Sequence, residues 1–136
     1  MKELDITESK ARKLVSKFCN DFCISPCKVW FIHIDHPDTL GWYEGESSNM
    51  FAYMMIEKKW SRRLVLVLHE LTHHLQYEIY SKIDSPHGNS FTLARSRVYT
   101  WAKKNISDHF DWESLIKAST IGRMKWKKKK KKKKKS

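Results

Sequence analysis

His69-Glu70-Leu71-Thr72-His73, with His87 in Pro86-His87-Gly88-Asn89-Ser90-Phe91 beyond a turn, is the stretch that decides the fold. The first five residues read HExxH. Positions four apart on a helix share a face, so His69 and His73 can offer two imidazoles to one metal ion. Glu70, one residue along, can reach a water on that metal. A third histidine, His87, would complete three ligands. Zinc would then keep one position open, which separates a catalytic site from a closed structural one.

The flanking residues predict the helix this geometry needs. Leu64, Leu68, Leu71, Leu75 and Ile79 recur at steps of three and four. Val65, Leu66 and Val67 make the first half apolar nearly all round, as expected of a buried helix that holds ligands still. Ser61 is the expected cap, and the pattern runs without Gly or Pro to about Lys82. Asp84, Ser85, Pro86 and Gly88 then turn the chain. HExxH also occurs by chance on exposed helices; the apolar flanks and the third histidine argue against that here. His74 points about 100° away from His73 and is expected to support the ligands or lie on the surface. His33, His36 and His109 lie in other segments and are read as bystanders.

Thr7 is the expected cap of a first helix running to about Phe22, with Ala11, Leu14, Val15, Phe18 and Phe22 inward. Strands are expected at 28–34, 40–43 and 50–57, and further helices at 90–104 and 111–118. Helix, then strands, then helices is an α+β order. There is no internal repeat.

At 136 residues the chain can bury one core. No apolar run approaches the roughly 20 residues of a membrane span. The three cysteines, Cys19, Cys23 and Cys27, form no CxxC pair. Cys19 and Cys23 are expected on one side of the first helix as small core residues. The odd count and the absence of a signal-like N-terminus point to an intracellular, reducing compartment, cytoplasmic or nuclear. The net charge of +12 is concentrated at one end: Arg123, Lys125 and an unbroken run of lysines at 127–135, with no acidic residue among 123–136. Such a run repels itself and is expected to be disordered. It suits contact with nucleic-acid phosphates without reading base edges. An import signal, a solubilising tail or an artefact of expression are the rival readings.

Taken together, HELTHHLQ, a short spacer and PHGNSF resemble the SprT-like zinc metallopeptidases, the family that includes the Spartan proteases. The resemblance covers roughly residues 8–104 and is specific at 69–76 and 86–91. Leu40-Gly41-Trp42-Tyr43 and the strand at 50–56 are similar to the sheet before that family's active-site helix. A metzincin would have Gly and His where Gln76 and Ile79 stand, and a gluzincin would need a downstream glutamate ligand. The resemblance implies a zincin-like minimal protease domain over 1–122: an N-terminal helix, a small three-stranded sheet, the HExxH helix and a following helix. Residues 123–136 form the tail. It implies Zn2+ held by His69, His73 and His87, with Glu70 as catalytic glutamate. It further implies a protein substrate bound on or crosslinked to DNA. The chain departs from many members in lacking a C-terminal zinc ribbon of paired cysteines. Tyr77, Tyr99 and Arg95 are candidates to stabilise the tetrahedral intermediate. The chain is expected to be a monomer. Two other readings stay open: a zincin that cuts one regulatory or host protein, and a non-enzymatic DNA-binding protein with a structural zinc.

Overall fold

The computed structural model describes residues 5–80 and 86–106. The helix expected at 111–118, His109 and the tail at 123–136 lie outside them. Within them the architecture is α+β, with three helices and a three-stranded sheet in the order α1 (Glu8–Asp21), β1 (Cys27–Ile32), β2 (Gly41–Glu44), β3 (Ala52–Glu57), α2 (Arg63–Ile79) and α3 (Asn89–Asn105). No helix among the described residues is long and apolar enough to cross a membrane.

Thr7 caps α1 by accepting a hydrogen bond from the Lys10 N–H at 3.2 Å. Ala11, Val15, Phe18 and Cys19 face the core, with Leu14 and Phe22 packed at its margin. The helix ends earlier than its cysteine spacing suggests. Cys23 is not a core residue beside Cys19; it is exposed, past the last turn, with φ at 54°. Its N–H donates to the Asn20 carbonyl, and the Ile24 N–H donates to the Cys19 carbonyl. This is the paired-bond helix stop that glycine normally supplies, because a Cβ is unfavourable in the left-handed region. Cys23→Gly is therefore expected to stabilise the fold by up to about 1 kcal/mol, read as a raised denaturant midpoint with unchanged slope.

The strands lie in the order β1-β3-β2, with β1 parallel and β2 antiparallel to β3. Val29, Ala52, Met54 and Ile56 point from one face into the core, where α1 packs on β1 and α2 crosses β2 and β3. The outer edge of β1 is covered by two side chains of α1: the Phe31 N–H donates to the Glu8 carboxylate, and the Arg12 guanidinium donates to the Val29 carbonyl. β1 stops at Ile32 rather than 34, since the Ile34 N–H leaves the ladder to donate to the buried Glu57 carboxylate.

Every residue from Leu64 to Leu68 is buried, as the all-round apolar pattern predicts. Ser61 does not cap α2. The first helical residue, Arg63, is held instead by Asp5, whose carboxylate accepts from the Arg63 backbone N–H and from two guanidinium nitrogens. Burial alone would raise the Asp5 pKa; the Arg63 hydrogen bonds outweigh it and hold the carboxyl below its ordinary value. The helix ends at Ile79 rather than near Lys82, because Tyr80 turns extended.

Candidate metal centre

The three predicted ligands converge. His87 Nε2 lies 3.2 Å from His73 Nε2 and 3.3 Å from His69 Nε2, and the ligand atoms of all three fall within 4.8 Å of one another. One imidazole nitrogen carries either a proton or a lone pair, so His87 Nε2 cannot satisfy both neighbours as a simple hydrogen-bond partner. A cation between them can. Nitrogens about 2.0–2.1 Å from a tetrahedral zinc stand roughly 3.3–3.4 Å from each other, which matches the separations found. The donor set and its spacing thus fit zinc.

Helical geometry supplies His69 and His73, and the turn before α3 supplies His87. Phe91, in the first turn of α3, lies against all three rings with centroids 4.7–5.2 Å away. His73 is fixed further by Gln76. The Gln76 amide donates to Ser90 Oγ at 2.8 Å, which turns its oxygen toward His73 Nδ1 at 3.3 Å. Nδ1 then carries the proton, and Nε2 keeps its lone pair for a metal. Burial, with His87 alongside, lowers the His73 pKa to about 4, so the ring stays neutral. Gln76 and Ser90 were not assigned roles from the sequence. The signal was there, since Gln76 is one helical turn beyond His73 on the same face.

Glu70 is 5% exposed, and burial raises its pKa to about 8. Its carboxylate rests on Gly41 of β2: a Cβ built there would stand 2.6 Å from Glu70 Oε2. The contact belongs to a larger register. Four residues of helix rise about 6 Å, close to two residues of strand. Glu70, His74 and Tyr77 on α2 therefore mesh with Gly41, Tyr43 and Gly45. The Tyr43 hydroxyl lies 2.7 Å from His74 Nδ1. The Tyr77 ring lies where a Cβ on Gly45 would be, and its hydroxyl donates to the Glu46 carbonyl. Gly41→Ala is expected to displace the Glu70 carboxylate and to slow any reaction in which Glu70 is the base by about 10–100-fold, with metal content unchanged because the added Cβ meets Glu70 first. An active alanine variant would show that this contact does not position Glu70.

His74 is not a surface residue. It is fully buried, with Nε2 2.7 Å from the Ser25 carbonyl. A carbonyl only accepts, so Nε2 holds the proton and Nδ1 accepts from Tyr43. Burial lowers its pKa and keeps it neutral. It ties α2 to β2 and to the loop after α1, outside the ligand set. His33 pairs with Glu57, and His36 Nδ1 serves Thr39 and Asp38, so neither joins the centre. Among the oxyanion candidates, Tyr99 packs in the core and Tyr77 bonds Glu46; Arg95 is half-buried on α3, one turn from Phe91 on the same face. Burial raises the Cys19 thiol to about 11 and raises Cys27 as well, which leaves both protonated and poor ligands.

Comparison of the chain with family models, with curated proteins and with solved structures finds no match.

Proposed function

We propose that this chain is a zinc-dependent endopeptidase of the SprT-like, zincin-like kind, acting on proteins bound on or crosslinked to DNA. One observation carries the reading: three converging imidazole nitrogens with a buried carboxylate one residue along the same helix. A site that served the fold alone would have no use for Glu70, whose burial in a dry setting is costly.

Bound zinc would polarise a scissile carbonyl and bring the pKa of a bound water toward neutrality. Burial alone favours protonated Glu70; a divalent cation held beside it would favour the carboxylate, so that Glu70, fixed on Gly41, would accept the proton of the attacking water and pass it to the leaving amine. His69, His73 and His87 would hold the metal, and Gln76 keeps His73 in the tautomer that leaves Nε2 free to bind it. The strand beside Glu70 suits an extended polypeptide. The Leu40 carbonyl accepts from the Glu57 N–H, so Leu40, Trp42 and Glu44 turn their backbones to β3. Gly41 and Tyr43 then turn theirs to the outer edge, where a peptide can add as a further strand without sequence preference.

The lysines at 127–135 suit phosphate contact, and tethering to DNA raises the local concentration of DNA-bound substrates. The test is cleavage of an unstructured polypeptide and of a DNA-bound protein by full-length and tail-less protein. Both substrates should be cut by zinc-loaded enzyme and neither after chelation. Removal of residues 123–136 should slow only the DNA-bound substrate. Cleavage that survives complete metal removal would overturn the peptidase reading. Equal DNA affinity with and without the tail at low salt would overturn the tethering.

A further inference from the structure

The helices occupy one face of the sheet; the other carries aromatic side chains with no helix over them among the described residues. Register places Trp30, Met55 and Trp42 in one row across the three strands, and Lys28, Tyr53 and Glu44 in the next. Phe51, just before β3, stands 6.0 Å from Trp30, and the Lys28 ammonium lies 5.2 Å from the Phe51 ring. Trp42 and Phe51 are nearly half exposed, at 46% and 43%. Single exposed apolar residues are ordinary, but a contiguous aromatic surface marks a binding face. Cross-strand packing accounts for the Trp30–Tyr53 contact at 5.4 Å. It does not account for Trp42, whose indole N–H is held by Glu44 at 2.8 Å with the ring left open.

Charge selects the occupant. Beyond the edge of β1, an open groove of about 760 Å³ runs between α1 and the start of β1, lined by Arg12, Lys13, Lys17 and Lys28 and by no carboxylate. Arg12 and Lys17 have acidic partners in Glu8 and Asp21; Lys13 and Lys28 have none among the described residues. Lys28 joins this cationic groove to the aromatic face. A single-stranded nucleic acid brings both complements, an exposed base face and a phosphate, in every nucleotide. A duplex hides its base faces.

We infer that the sheet face around Trp30, Trp42, Phe51 and Tyr53 binds single-stranded nucleic acid, stacking unpaired bases while Lys28 and Lys13 hold the adjoining phosphates. The site lies on the folded domain and reads strandedness, which the lysine tail alone cannot do. Because β2 also carries Gly41 against Glu70, a strand bound here would lie one sheet thickness from the candidate metal centre.

The test uses the full-length chain and labelled oligo-dT, oligo-rU and a duplex of matched phosphate number, across a salt series. Wild type should prefer both single strands. Trp42→Ala with Phe51→Ala should weaken single-strand binding by about 10–100-fold and leave duplex binding unchanged, since each lost ring removes one stacking platform. Trp42→Phe should restore most of the loss. Lys28→Ala should reduce the salt slope by about one. Preference for one of the two oligomers tells DNA from RNA as the ligand, with the face confirmed either way. Unchanged single-strand affinity in a double variant that melts like wild type would overturn the inference. So would a concentration-dependent dimer that the double variant abolishes without change in oligonucleotide binding, because the face would then be a self-association surface. Glu70→Gln should bind like wild type, so this result and the peptidase reading fail independently.

Discussion

Glu70→Gln is expected to abolish peptide hydrolysis, by about 10²–10⁴-fold or more, while leaving zinc content and fold intact. The substitution keeps the shape of the side chain against Gly41 but removes the carboxylate oxygen proposed to accept a proton from water. It makes no change at the three nitrogens. Zinc stoichiometry, the thermal melt and cleavage of an unstructured polypeptide, measured on one preparation, check it. A glutamine variant that cuts at near wild-type rate would rule out Glu70 as the base.

His87→Ala should lower zinc affinity by more than about 100-fold, a larger loss than supporting residues usually give. His69→Ala and His73→Ala should match it. The supporting shell should grade below: Gln76→Ala by about 10–100-fold, because His73 loses the partner that fixes its tautomer. His74→Ala should give the opposite signature. It leaves the Ser25 carbonyl and the Tyr43 hydroxyl without their shared partner, so it should cost stability of about 2–4 kcal/mol and little metal affinity. Competition with a chromophoric chelator, beside denaturant melts, separates the two effects. Full zinc retention in His87→Ala would remove the third ligand.

Most of the fold was legible because local patterns and tertiary packing agree. The α2 stripe and the inward residues of α1 report burial that the core then supplies, and Thr7 caps α1 as its position predicts. Misplaced details came from partners distant in sequence. Ser61 looked like a cap, yet Asp5, 58 positions from Arg63, does the capping. Cys23 sat at helical spacing from Cys19, yet a left-handed turn had already ended the helix.

The sequence by itself determined the three histidines that converge, the adjacent glutamate, the α+β order and the concentration of charge at 123–136. Those rest on spacing along a helix, on periodicity and on composition, which are local properties. Only the tertiary structure decided what holds the site. Glu70 on Gly41, His74 between Tyr43 and Ser25, and Gln76 on Ser90 join residues 14 to 49 positions apart. Spacing along one chain cannot specify such contacts, because they depend on how far the rise of α2 keeps step with the pleat of β2. The same holds for the bare aromatic face. Trp30 and Trp42 come to lie in one row only because β3 inserts between the strands that carry them.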